Sequence, residues 1–108
     1  DTLGSANPHS TEKLLSALSS EFQMKDIAVH FHDTHGKAIE NIGIALDFGI
    51  STFDSSIAGL GGCPYAPGAK GNVATEAVVE FLESKGFCTG VKREKIKEAA
   101  EFARSLRR

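Results

Sequence analysis

The stretch ISTFDSSIAGLGGCPYAPGAKGNVATE, from Ile50 to Glu76, decides how this chain folds. It opens on a short β-branched and aromatic run, Ile50 to Phe53, and passes through a segment holding five glycines. It ends where a helical pattern starts near Ala74. Strand, glycine-rich loop and helix is the arrangement in which α/β proteins place chemistry. Glycine density lets backbone approach a ligand closely and lets a lid open and shut. The second informative stretch is VHFHDTHG, Val29 to Gly36. His30 and His32 alternate along an apolar run, so a strand would point both imidazoles to one side.

Outward from these stretches the elements follow from spacing. Asn7 and Pro8 form an N-cap and a first helical position. Leu14, Leu15, Leu18 and Phe22 then recur at helical intervals. A strand is expected over residues 26–32, with Ile27, Val29 and Phe31 opposite the histidines. A helix over 36–48 should turn Ile39, Ile42 and Leu46 inward and stop at Gly49. Residues 50–54 form the next strand. A helix over 74–85 carries Val78, Phe81 and Leu82 and stops at Gly86. A last helix from about Arg93 groups Ile96, Ala100, Ala103 and Leu106, with Arg104, Arg107 and Arg108 suiting its dipole. Strands joined by such helices imply parallel βαβ units. Two strands alone would expose both edges and most of an apolar face. The expected class is therefore α/β, part of a TIM (β/α)8 barrel, with a doubly wound sheet as the alternative. The chain opens on Asp1 and its one methionine is Met24, so it reads as the tail of a longer protein.

Composition narrows the function classes. With 108 residues, 24% charged and 41% hydrophobic, the chain supports one small domain. A net charge of -2 gives no footing for nucleic acid or an anionic membrane. No apolar run is long enough to span a bilayer. Cys63 and Cys88 form no C-x-x-C motif and read as reduced thiols.

Two neutral imidazoles, His30 and His32, can chelate one divalent ion; a hydrogen-bonded pair in a polar barrel interior is the other reading. His9 and His35 lie off this face. Asn72 offers a hard oxygen ligand suited to magnesium or manganese, or else caps the helix that follows. Cys63, between Gly62 and Pro64, can serve as acid, base or nucleophile or be an inert loop thiol. The nearest cation to it in sequence is Lys70. Asp33 and Asp54 end the two strands, and either could orient a histidine. Asp1 ends what reads as an earlier strand on the same rim. Glu76 sits in a first helical turn, which the dipole favours in any case.

Three segments together resemble the 3-hydroxy-3-methylglutaryl-CoA lyases, within the metal-dependent TIM-barrel lyases that also include isopropylmalate and citramalate synthases. They are Asp1-Thr-Leu-Gly4, Val29-His-Phe-His-Asp-Thr34, and Ser56-Ile-Ala-Gly-Leu-Gly-Gly-Cys-Pro-Tyr65 continuing through Gly71-Asn-Val-Ala-Thr-Glu76. The resemblance implies a single pyruvate carboxyltransferase-like barrel domain. Residues 1–108 would be its C-terminal fragment, from the end of strand 6 through strand 8 and the trailing helices. It implies His30, His32 and Asn72 as ligands of Mg2+ or Mn2+, and Cys63, Asp1 and Glu76 as catalytic or supporting groups. It further implies an acyl-CoA substrate, a homodimer, and a cytoplasmic location in bacteria or a matrix location in mitochondria. Neither nucleic acid nor membrane is an expected partner. Lys70 and Ala77 depart from the family pattern at what read as surface positions. The first-strand arginine–aspartate pair that the family uses is not among these residues. The Gly62-Cys63-Pro64 segment argues against the alternative, a Claisen-type acyltransferase. An inactive fragment is the expectation for the chain by itself.

Overall fold

Asn7 and Pro8 start the first helix, α1 (Pro8–Ser19), in a computed structural model that describes residues 1–61 and 71–106. Asn7 Oδ1 accepts the Ser10 N–H at 2.8 Å and Ser10 Oγ accepts the Asn7 N–H at 3.0 Å, a reciprocal cap. The helix ends earlier than the apolar spacing suggests. The N–H groups of Glu21 and Phe22 both return to the Leu18 carbonyl, which closes the last turn and leaves Phe22 exposed. Leu15 alone of the expected stripe is fully buried, with Leu18 packed beside it.

The first strand is also shorter than expected. Met24–Asp26 is a 3-10 turn, β1 covers Ala28–His30, and His32 joins the structure through an isolated antiparallel bridge to Asn72. α2 (Ala38–Asp47) follows, its first N–H (Ala38) donating to Asp33 Oδ1 at 3.2 Å. Gly49, at φ +94, terminates it as expected. Its inward face is Ala38, Asn41, Ile42 and Ala45, while Leu46 is only half-buried. β2 (Thr52–Asp54) pairs in parallel with β1, aligning Ala28 with Thr52, Val29 with Phe53 and His30 with Asp54. α3 (Thr75–Ser84) and α4 (Arg93–Leu106) complete the chain.

The side-chain period of two divides this sheet sharply. Val29 and Phe53 face the helices, against Phe31, Ala38, Ile42, Val73 and Val78 on one side and Leu15, Ala45 and Ile50 on the other. Ala28, His30, Thr52 and Asp54 point the opposite way, and no helix among the described residues covers them. α4 packs on α3 and on the 3-10 turn Ile57–Gly59. Of its expected stripe, Ala100 and Ala103 are buried, Ile96 is half-buried and Leu106 is exposed beside an exposed Phe102. Asp1–Gly4 is a turn closed by the Gly4 N–H on the Asp1 carbonyl at 3.2 Å. The architecture is thus a small α/β piece with a parallel sheet covered on one face.

A two-stranded sheet with a bare face and open edges is marginal by itself. Expressed alone, residues 1–108 should self-associate, and sedimentation should show a broad, concentration-dependent distribution. A monodisperse monomer that melts cooperatively would contradict this.

Candidate functional site

The open face of the sheet carries the first part of the site. His30 ends β1, and its Nδ1 lies 2.6 Å from Asp54 Oδ2 at the end of β2. The parallel register sets this contact, since His30 and Asp54 are direct partners. Of the two aspartates that could orient a histidine, the structure selects Asp54; Asp33 is committed to the start of α2. With Nδ1 engaged by a carboxylate, Nε2 is the nitrogen left for a ligand, and the ring orientation is held. The His32 ring stands 5.1 Å from the His30 ring, centroid to centroid, so both imidazoles do lie on one side. Burial holds His32 below its ordinary pKa, the neighbouring His30 adds to this, and the Asn72 side chain opposes it. His32 is therefore neutral at neutral pH, the form that can donate a lone pair to a metal.

Asn72 carries the second part. It does not cap α3: Ala74 occupies that position, and no side chain caps it. The Asn72 side chain is held in a cradle of backbone instead. Its Nδ2 donates to the Leu60 carbonyl at 2.8 Å and the Gly61 carbonyl at 3.2 Å. Its main-chain N–H also donates to the Gly61 carbonyl, at 3.2 Å. Glycines are required for this approach. A Cβ on Gly61 (φ +90) would lie 2.8 Å from Asn72 Nδ2, and one on Gly59 (φ +67) would lie 3.0 Å from the Asn72 carbonyl oxygen. Two carbonyl acceptors force the amide nitrogen toward the cradle and turn Oδ1 away from it. That Oδ1 is buried, as is His32 Nδ1 on the residue bridged to Asn72, and apart from the influence of the two side chains on each other neither atom has a hydrogen-bond partner among the described residues. A buried polar atom left unpaired costs about 1–3 kcal/mol. An amide oxygen beside two imidazoles is a donor set that suits a divalent cation. Among the described residues no group of three His, Cys, Asp or Glu side chains could hold a metal ion unaided.

The remaining candidates separate. Asp1 lies beside the histidine strand: its main-chain nitrogen is 3.3 Å from the His30 carbonyl, and its Oδ1 accepts the Ala6 N–H at 3.2 Å. Glu76 is drawn elsewhere. Its Oε1 accepts the Ala58 N–H at 3.0 Å and its Oε2 meets Arg104 Nη1 of α4 at 3.4 Å. It therefore stands between the turn Ile57–Gly59 and α4 rather than with the histidines. Cys63 and Lys70 lie outside the described residues. The flanking ends, Gly61 and Gly71, are fixed at the site by the Asn72 and Asp33 N–H groups, which donate to their carbonyls at 3.2 and 2.7 Å. Cys88 is a free, exposed thiol, and His9 and His35 are exposed. Sequence reasoning missed Arg104 as a partner of Glu76. It also read Gly59 and Gly61 as a source of freedom; nothing local shows that Asn72, eleven residues beyond Gly61, lies in their cradle.

The HMGL-like family model matches residues 1–103. The chain belongs to the HMGL-like family. It is 52% identical over 102 residues to hydroxymethylglutaryl-CoA lyase YngG of Bacillus subtilis, covering 94% of this chain and 34% of that protein. It is 50% identical to the mitochondrial hydroxymethylglutaryl-CoA lyase of Homo sapiens, covering 94% of this chain and 31% of the human protein. Among solved structures, the HMG-CoA lyase of Brucella melitensis superposes with a TM-score of 0.97 at 45% identity, over 99% of this chain and 38% of that one. The chain thus spans about a third of the length of the relatives it matches. Those shares support an HMGL-like α/β barrel portion; its assignment to the C-terminal end rests on the sequence motifs alone.

The cradle yields a contrast between glycines. In the full-length protein, Gly61→Ala should cost about 1–3 kcal/mol, because strain at positive φ is joined by a clash with Asn72. Gly36→Ala, at φ +70 with nothing within 4 Å of the added Cβ, should cost only the backbone term, about 1 kcal/mol. Urea denaturation midpoints of the two variants measure the difference.

Proposed function

We propose that the protein to which this chain contributes about a third is a carbon–carbon lyase of the hydroxymethylglutaryl-CoA lyase type. It would cleave 3-hydroxy-3-methylglutaryl-CoA to acetyl-CoA and acetoacetate with Mg2+ or Mn2+ held by His30, His32 and Asn72. Identity near 50% to proteins named for that activity supports the reading. The observation that carries it is the convergence of the His32 ring and the Asn72 side chain, bridged through their backbones, beside a His30 whose other nitrogen is committed to Asp54.

A cation bound there supplies Lewis acidity toward the tertiary hydroxyl and carboxylate of the substrate. Every other duty falls to the protein. Asp54 fixes the His30 ring, and the Gly59–Gly61 cradle fixes the Asn72 amide, so neither must reorganise during reaction. Asp1, beside His30, is assigned to take the hydroxyl proton, its Oδ2 being the oxygen not used by Ala6. The resulting alkoxide collapses to the ketone of acetoacetate, and the bonding pair of the broken carbon–carbon bond passes to the acetyl-CoA enolate. Cys63 is assigned to deliver the proton that quenches this enolate. Glu76 supports the site through the turn it holds.

The same proposal includes an acyl-CoA substrate, a homodimeric assembly, and a bacterial cytoplasmic or mitochondrial matrix location. It also places the chain at the C-terminal end of a single barrel domain. Sequencing the coding region on both sides tests that placement: most of the barrel should precede Asp1, and finding it after Arg108 would reverse the assignment. No helix among the described residues is long and apolar enough to cross a membrane.

Two substitutions test the chemistry in the full-length protein. His32→Ala should weaken manganese affinity by about 10-fold or more, read by calorimetry, and unchanged affinity would remove the metal assignment. Cys63→Ser should keep the melting temperature and lose most of the turnover. Turnover near wild type would remove Cys63 from the chemistry.

A further inference from the structure

Ala58 is the one non-glycine residue with a positive φ among the described residues, at φ +54. A β-carbon in that region is strained, so the surrounding structure must hold it there. Two elements converge on it. The Ala58 N–H donates to Glu76 Oε1 at 3.0 Å. Helix α4 packs on the same turn, Ile57–Gly59, and its Ala100 and Ala103 are buried. Arg104, one residue beyond Ala103, meets the second oxygen of Glu76 at 3.4 Å. The chain then runs directly from this turn into Gly59, Leu60 and Gly61, whose carbonyls and close approach orient the Asn72 amide.

We infer that Glu76 and Arg104 are positioning residues, which hold the strained Ala58 turn so that the Gly59–Gly61 cradle points Asn72 Oδ1 into the site. The inference rests on reading Asn72 as a ligand, and it makes α4 a buttress of the site rather than a cover for the core. Neither side chain touches the reacting atoms in this account. Favourable interaction of Glu76 with the α3 dipole is a separate matter, because it would stabilise the helix without reaching Asn72.

The roles differ in expected size. The Glu76 acceptor is a direct partner of the turn, so Glu76→Ala should weaken manganese affinity of the full-length protein by about 10- to 100-fold. Arg104 is half-exposed and acts one step further away, so Arg104→Gln should weaken it by no more than about fivefold, with Arg104→Lys restoring part of the loss. Glycine adopts positive φ freely, so adding Ala58→Gly to Glu76→Ala should recover most of the affinity. The direct readout is the pair of Asn72 side-chain amide proton signals in the metal-free protein, followed by NMR. They should shift or broaden in Glu76→Ala and return in the double variant. Unchanged Asn72 signals in Glu76→Ala, or no recovery on adding Ala58→Gly, would overturn the inference. If His32→Ala leaves manganese affinity untouched, the metal reading falls, and the Asn72 signals still decide whether Glu76 positions that amide.

Discussion

The parallel register of β1 against β2 is the constraint on which the rest of the structure depends. It sets Val29 beside Phe53 on the face that the helices cover, and His30 beside Asp54 on the face they leave open. A slip of one residue would turn one strand over, burying its histidine or its aspartate against the helices and exposing its apolar residue. The hydrophobic effect thus enforces the register, and the register in turn delivers the His30–Asp54 contact. Core packing and site geometry are two consequences of a single alignment.

A second constraint is local and works against stability. Among the described residues from Ser56 to Asn72 are a non-glycine residue at positive φ, two glycines at positive φ, and an asparagine whose side-chain oxygen is buried. The strain at Ala58 and the buried amide oxygen oppose folding, each by about 1–3 kcal/mol where fully felt, whereas the glycines adopt positive φ freely. Such departures persist where surrounding structure over-determines them, and here Glu76, α4 and the bridges His32–Asn72 and Ser56–Ala74 do so. The strained Ala58 belongs to this region, whereas buried polar atoms without partners occur also on α1 and α2, at Thr11 and Asn41.

The open sheet face has a matching logic. Its residues are polar or small, Ala28, His30, Thr52 and Asp54, whereas a face meant for a second helical layer would carry large apolar side chains. A parallel barrel places helices outside and a filled interior within. The polar side of this sheet fits that interior near the rim, in a chain that spans about a third of its relatives' length.

Periodicity alone was enough to determine most of the elements. The caps Asn7–Pro8, the stops at Gly49 and Gly86, the parallel βαβ order and the shared side of His30 and His32 are all local or period-driven properties. The ends were harder to read, because an apolar residue at helical spacing says nothing about whether a neighbour will cover it. Phe22 and Leu106 keep the spacing and remain exposed. The fates of Asn72, Glu76 and Asp54 were decided by tertiary structure. Asn72 was equally suited to capping a helix, and carbonyls of a segment eleven residues away settled the orientation of its amide. Glu76 was placed by a strained turn and an arginine 28 residues downstream. Asp54 was chosen over Asp33 by its register across the sheet, which the sequence around either aspartate does not encode. Hydrophobic spacing is written into neighbouring residues, whereas the partner of a polar side chain depends on which distant backbone the fold brings beside it.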